Sequence, residues 1–262
     1  MSGYVLCQTK TAKVPYYIEN ISTNIYSVEE LCFYLFHNVY LIDESLMNDG
    51  LFDWLQRELD LSGLAAKLRA LKGKYVQPHE YVFPIFKEIN YLSYEELKTL
   101  SAQLGRLSKE PPMMRKKLKG DSLVENGMYV GALRTYQELL EELHKGAEEP
   151  RKGFMGSVYH NMGCAYSYLF QKEEALKCFE KAYSHLHTMN ALKSYLYAFS
   201  DARTPIEYAS KLAELGVDEK TGREMDARMS QAWEKSEVPV YEHNVDVMLE
   251  KLTKEYHRST GS

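Results

Sequence analysis

This 262-residue sequence predicts an all-α fold: an antiparallel stack of helix hairpins with an additional helical N-terminal region. Three observations carry that expectation. Apolar residues recur at three- and four-residue intervals along most of the chain, as in Val28, Leu31, Cys32, Leu35 and Val39. Two of these stripes open on Ser-x-x-Glu, in which the serine caps a helix and the glutamate reaches back to the cap. Between residues 120 and 182, glycine and alanine alternate with aromatic rings, a pattern suited to close contact of paired helices.

Composition agrees. The chain is 45% hydrophobic and 26% charged, enough for a core that needs no disulfides. A net charge of −5 argues against a dedicated nucleic-acid binder, which carries a basic face or stripe. Cys7, Cys32, Cys164 and Cys178 show no Cys-x-x-Cys spacing and read as small apolar residues in a reducing compartment. Lys10, Lys13 and Glu19 interrupt any leader-like run, and no stretch approaches ~18 consecutive apolar residues. A cytoplasmic protein with no membrane segment is expected. The 21 tyrosines suit half-buried spacer positions between helices.

Residues 1–26 lack helical periodicity. Tyr4–Cys7 and Val14–Ile18 read as two short strands or as an extended arm, and a two-stranded ribbon would have to lie on the helices to persist. Ser27 and Glu30 open the first helix. A second is expected from about Asp43 to Leu59 on Met47, Leu51, Trp54 and Leu55. A third is capped by Asp60 or Ser62 and stopped by Gly73. The fourth starts near Pro78 and contains Pro84, which either kinks it or begins it. Ser93 and Glu96 open the fifth, through Leu97, Leu100, Leu104 and Leu107. Glu110-Pro111-Pro112 breaks the chain there, dividing a helical domain of residues 1–110 from a repeat domain of 111–257.

Beyond the break, Tyr159, Met162-Gly163, Tyr166, Ala175, Phe179 and Ala182 form one helix–turn–helix unit. Gly163 and Ala175 let two backbones approach, while Tyr166 and Phe179 fill the space beside them. Gly120, Leu123, Ala132 and Tyr136 repeat the pattern upstream in degenerate form, 43 residues earlier at the glycine. The excess length falls in the polar linker 144–152. Ala191 to Leu215 suggests a third, divergent pair, with Thr204-Pro205 opening its second helix and Gly216 closing it. Asp218 caps a helix carrying Met225, Met229 and Trp233, and a last helix runs to about His257.

The 156–189 unit resembles a tetratricopeptide (TPR) repeat: an aromatic, two spacers, Leu-Gly, two spacers, Tyr, then Ala and Phe. Here Met162 takes the Leu place and the closing Pro is absent. The resemblance implies a non-enzymatic scaffold or adaptor that binds a protein or peptide partner in a concave groove lined by the first helix of each repeat. It places Met114, Lys117, Asp121, Ser157, His160, Asn161, Cys164 and Ser167 on that groove. Some members of the family grip a C-terminal carboxylate with a Lys/Asn/Arg clamp. Lys117 and Asn161 fall on two of its places, but Asp121 stands where Asn is wanted, and Ala191 and Tyr195 where Lys and Arg belong. The clamp is therefore not expected.

Few residues suggest other chemistry. No Gly-rich phosphate loop, His-Glu-x-x-His or Gly-x-Ser-x-Gly occurs. No cofactor or metal is expected. His185 and His187 diverge around a helix, and the acidic run from Asp43 to Asp53 lacks calcium-loop spacing. His160 and Cys164 share a face and could form a nucleophile pair, but the repeat already accounts for that face. Arg115, Lys116, Lys117 and Lys119 form the one dense basic run, read as a solvated helix face. The alternative function is a regulator whose Lys67, Arg69, Lys72 and Lys74 face a phosphate backbone.

Overall fold

The computed structural model describes residues 9–43, 46–74, 77–145, 153–235, 248–250 and 253. The architecture is all-α with one short N-terminal ribbon, β1 (Tyr16–Ile18) paired antiparallel with β2 (Thr23–Ile25), Tyr17 opposite Asn24. The expected partner strand at Tyr4–Cys7 lies outside the described residues. The ribbon rests on α2 (Asp49–Arg57). The Trp54 indole donates to the Val14 carbonyl at 3.0 Å, Asn48 Nδ2 donates to the Tyr16 hydroxyl at 2.8 Å, and Glu58 accepts from the amides of Lys13 and Val14.

The capping signals act as written. Ser27 and Glu30 close a capping box at the start of α1 (Val28–His37), and Ser93 and Glu96 do so for α5 (Tyr94–Leu107). Helix α2 starts later than expected, because Asn48 rather than a residue near Asp43 caps it, accepting from the Leu51 amide at 2.9 Å. Neither Asp60 nor Ser62 caps α3 (Ser62–Arg69). Leu61 holds the cap position without a side-chain bond, and Asp60 sits at φ +61° with its carboxylate on Lys10. Helix α4 (Pro78–Glu88) begins on Pro78 and runs through Pro84.

Six helices complete the hairpin region and its continuation: α6 (Pro112–Glu125), α7 (Tyr129–Lys145), α8 (Phe154–Tyr168), α9 (Lys172–Leu186), α10 (Met189–Ala202) and α11 (Pro205–Glu214). Helix α12 (Glu219–Lys235) follows. The chain divides into two compact units at Ala202/Arg203, so Pro111 lies inside the first, and the division falls within the pair read as a third hairpin.

In the first unit one continuous apolar core runs from Ala12 to Ala182. It joins Leu31, Phe52, Leu64, Ile85 and Leu100 of the N-terminal helices to Tyr136, Val158 and Ala165 of the hairpins. Two ties cross the Pro111 break: Lys119 Nζ to Asp43 at 2.6 Å, and Asn126 Nδ2 donating to Asn38 Oδ1 at 2.9 Å. In the second unit Thr204 and Glu207 box the start of α11, Gly216 turns at φ +63°, and Asp218 caps α12 by accepting from the Thr221 amide. The last expected helix lies outside the described residues except at 248–250, which are helical.

Candidate functional site

Each hairpin is built on one glycine laid against one ring. A Cβ at Gly163 would stand 2.8 Å from the Phe179 ring, and one at Gly120 would stand 2.5 Å from the Tyr136 ring. In both hairpins the ring follows the glycine by 16 positions and a buried alanine, Ala132 or Ala175, follows it by 12. The helices of each pair are antiparallel, since Gly156, one side of the α8 axis earlier, meets Leu186 late in α9. Helix α10 continues the order against α9, with Lys172 bound to Asp201 near one end and Tyr183 stacked on Tyr195 nearer the other.

This packing brings α6, α8 and α10 into one row, linked by side chains. Asp121 of α6 is its hub. Its carboxylate accepts from Lys117 Nζ at 2.6 Å, from the Tyr136 hydroxyl at 2.6 Å and from Asn161 Nδ2 of α8 at 2.8 Å. His160 of α8 reaches Ser194 of α10 through Nε2 at 3.1 Å. The Ser194 hydroxyl donates to the Asn190 carbonyl, so Nε2 carries the proton and Nδ1 faces the Cys164 thiol at 3.9 Å. His160 also packs edge-on against Phe179, with centroids 5.4 Å apart.

The electrostatics of the row follow from burial. Desolvation, helped by the Asp121 charge, pushes the Tyr136 hydroxyl far up, so it serves only as a donor. Burial also raises the Cys164 thiol. A raised thiol 3.9 Å from an imidazole nitrogen has neither the proton affinity nor the reach of an activated nucleophile.

Of the eight groove residues expected from the sequence, Lys117, Asp121, His160, Asn161 and Cys164 meet in this row. Ser157 and Ser167 lie on α8, and their hydroxyls donate to the carbonyls of Phe154 and Gly163. Met114 lies elsewhere: with Leu118 it lines a cleft of about 550 Å³ between α1, α5 and α6. Tyr136 and Ser194 were not among the expected residues. The signal for Tyr136 was its hydroxyl, since a tyrosine replacing the Phe of the repeat in a fully buried place must find an acceptor.

The basic run is not a solvated face. Lys116 bridges to Glu142 and Glu138 of α7, Lys117 to Asp121 and Lys119 to Asp43. The basic residues suggested for a phosphate backbone are partly tied as well, Arg69 to Asp53 and Lys72 to Asp49. His185 stacks on Tyr159 and His187 ends α9 against Tyr183. Among the described residues no group of three His, Cys, Asp or Glu side chains is placed to hold a metal ion, and no helix is long and apolar enough to cross a membrane.

No family model, curated protein or solved structure matches this chain.

Proposed function

We propose that the chain is a protein-interaction scaffold whose TPR-like row of first helices, α6, α8 and α10, receives an extended or helical peptide segment of a partner. One observation carries the reading: Asp121–Asn161 and His160–Ser194 contacts string these three helices side by side through their polar faces. The matched Gly120–Tyr136 and Gly163–Phe179 contacts support it, because they repeat one packing rule in successive hairpins.

The row also bears on the chemistry of the partner. Lys117 and Asp121 neutralise each other, and Asn161 is committed to the same carboxylate. A carboxylate-gripping mode would have to break these bonds. Recognition by shape and by apolar contact beside the row costs less, since a buried charge stripped of its partner is expensive.

The test is panning of a peptide library on the full chain, followed by affinity measurement on variants. Ser167 is exposed on α8, so Ser167→Arg should obstruct the row without disturbing the core, and His160→Glu should place a charge at its centre. Selected peptides should lose at least tenfold in affinity to both variants and none to Lys177→Glu, an exposed control on α9. Peptides indifferent to both row variants would exclude this face.

A further inference from the structure

The first unit carries a projecting apolar edge and a recessed apolar cleft, and one chain cannot bring its own two together. The edge lies where the α6–α7 and α8–α9 turns sit side by side. Tyr129 stacks on Tyr168, centroids 4.6 Å apart and planes 4° from parallel. Beyond them stand Val130, 62% exposed, and Phe170, 86% exposed. Phe170 holds φ +57°, a left-handed conformation that a bulky residue adopts at a steric cost. In an isolated molecule both the strain and the exposed ring go uncompensated, which is the mark of a surface made for contact.

The cleft is the space of about 550 Å³ between α1, α5 and α6. Phe36, Val39, Leu107, Met114 and Leu118 supply its apolar lining, and Arg106 and His37 stand among its polar residues with Glu110. Met114 and Glu125, which ends α6 beside the edge, are 11 residues apart on that helix, so the two features are separated by roughly 16 Å at 1.5 Å per residue. Charge is complementary. The edge is flanked by Glu125, Glu173 and Glu174, while Lys172 beside it is taken up by Asp201. The cleft presents the guanidinium of Arg106.

We propose that this chain self-associates head to tail, the Tyr168–Phe170 edge of one copy entering the α1–α5–α6 cleft of the next. The two surfaces differ, so the contact is heterologous, and each added copy leaves one edge and one cleft open unless a ring closes. The contact area is at the small end for specific interfaces, below about 1,200 Å², so association is weak and concentration-dependent. It uses neither the groove residues of α8 nor those of α10, and therefore stands apart from peptide binding.

The test is sedimentation of the full chain across a concentration series reaching several hundred micromolar, with three variants. Phe170→Asp removes the knob and places a residue tolerant of positive φ there. Met114→Glu fills the cleft with charge. Arg106→Glu alters an exposed side chain of the same cleft and serves as the cleft variant if Met114→Glu fails to give the parent far-UV spectrum. The parent mass should rise above 30.4 kDa with concentration, while the knob and cleft variants should each associate at least tenfold more weakly. A mixture of knob and cleft variants should form a two-chain complex and nothing larger, because one intact edge and one intact cleft remain. A parent that stays monomeric throughout, single variants that associate like the parent, or a mixture that forms no pair would each overturn the proposal.

Discussion

Gly163 lies under the ring of Phe179 so closely that a single added methyl group would stand 2.8 Å from it. The space was given up for backbone approach, and the ring has no free side to retreat to, being 6% exposed.

Gly163→Ala should therefore destabilise the chain by about 1–3 kcal/mol, the usual cost of overpacking a filled core. Gly105, in α5, has nothing within 4 Å of the corresponding position. Gly105→Ala should raise stability by roughly 0.5–1 kcal/mol through helix propensity alone. Thermal and urea melts of the two variants decide it, and the opposite order would mean that the hairpin does not close as described.

Tyr136→Phe keeps the ring against Gly120 and removes one donor from Asp121. The expected loss is about 1 kcal/mol, the net worth of one buried hydrogen bond. Asp121→Ala should cost more, about 1–3 kcal/mol, because it strands the fully buried Tyr136 hydroxyl and the Lys117 charge. Combining either with Asn161→Ala should be non-additive by roughly 0.5–3 kcal/mol, since all three act on one carboxylate. Strict additivity in a double-mutant cycle would show that the network is not formed in solution.

The acid limb of stability should trace to helix caps. Hydrogen bonds from Ser93, Thr204 and Thr221 hold the carboxyls of Glu96, Glu207 and Asp218 below their ordinary range. A depressed carboxyl contributes stability above its unfolded pKa and loses it as pH falls through the folded one. Stability should thus decline as pH drops below about 4.5, the ordinary glutamate value. Ser93→Ala should flatten part of that decline and cost about 0.5–2 kcal/mol at neutral pH as a lost cap. Melting temperatures taken across this pH range check both; an unchanged acid slope in Ser93→Ala would rule out the Glu96 contribution.

Cys178 should resist alkylation in the folded chain. Burial pushes its thiol up to about 11, and burial pushes Cys32 up as well. A raised thiol stabilises the fold fully below its unfolded value near 9, and that contribution is lost as pH rises toward about 11. Iodoacetamide at mildly alkaline pH should modify Cys178 and Cys32 far more slowly in native protein than in urea, as read by mass spectrometry. Equal rates would place Cys178 outside the core.

The helices were legible where a short-range device marks them. Ser27 with Glu30 and Ser93 with Glu96 are visible within four residues, and both caps form. The start of α2 was misjudged because Leu46 and Met47 are buried without being helical, so burial imitated periodicity ahead of the true cap at Asn48. Within the site, Lys117, Asp121, His160 and Asn161 could be named from a repeat register, since register fixes which face a residue occupies. Tyr136 could not, because register explains its ring and says nothing of its hydroxyl. Met114 was drawn into the groove by the same register, yet it sits where α5 and α1 meet α6, and those partners come from segments that the repeat does not contain. The lysine run misled for a related reason: Lys119 meets an acid 76 residues away, a distance no local pattern spans.

That run has a practical outcome. Lys116, Lys117 and Lys119 fasten α6 to three different places: α7, its own next turn, and the loop at Asp43. Amine-directed chemistry on this one short stretch, such as acetylation, would undo three seams together. A single helix turn thereby becomes the clasp between the N-terminal half of the first unit and its hairpins.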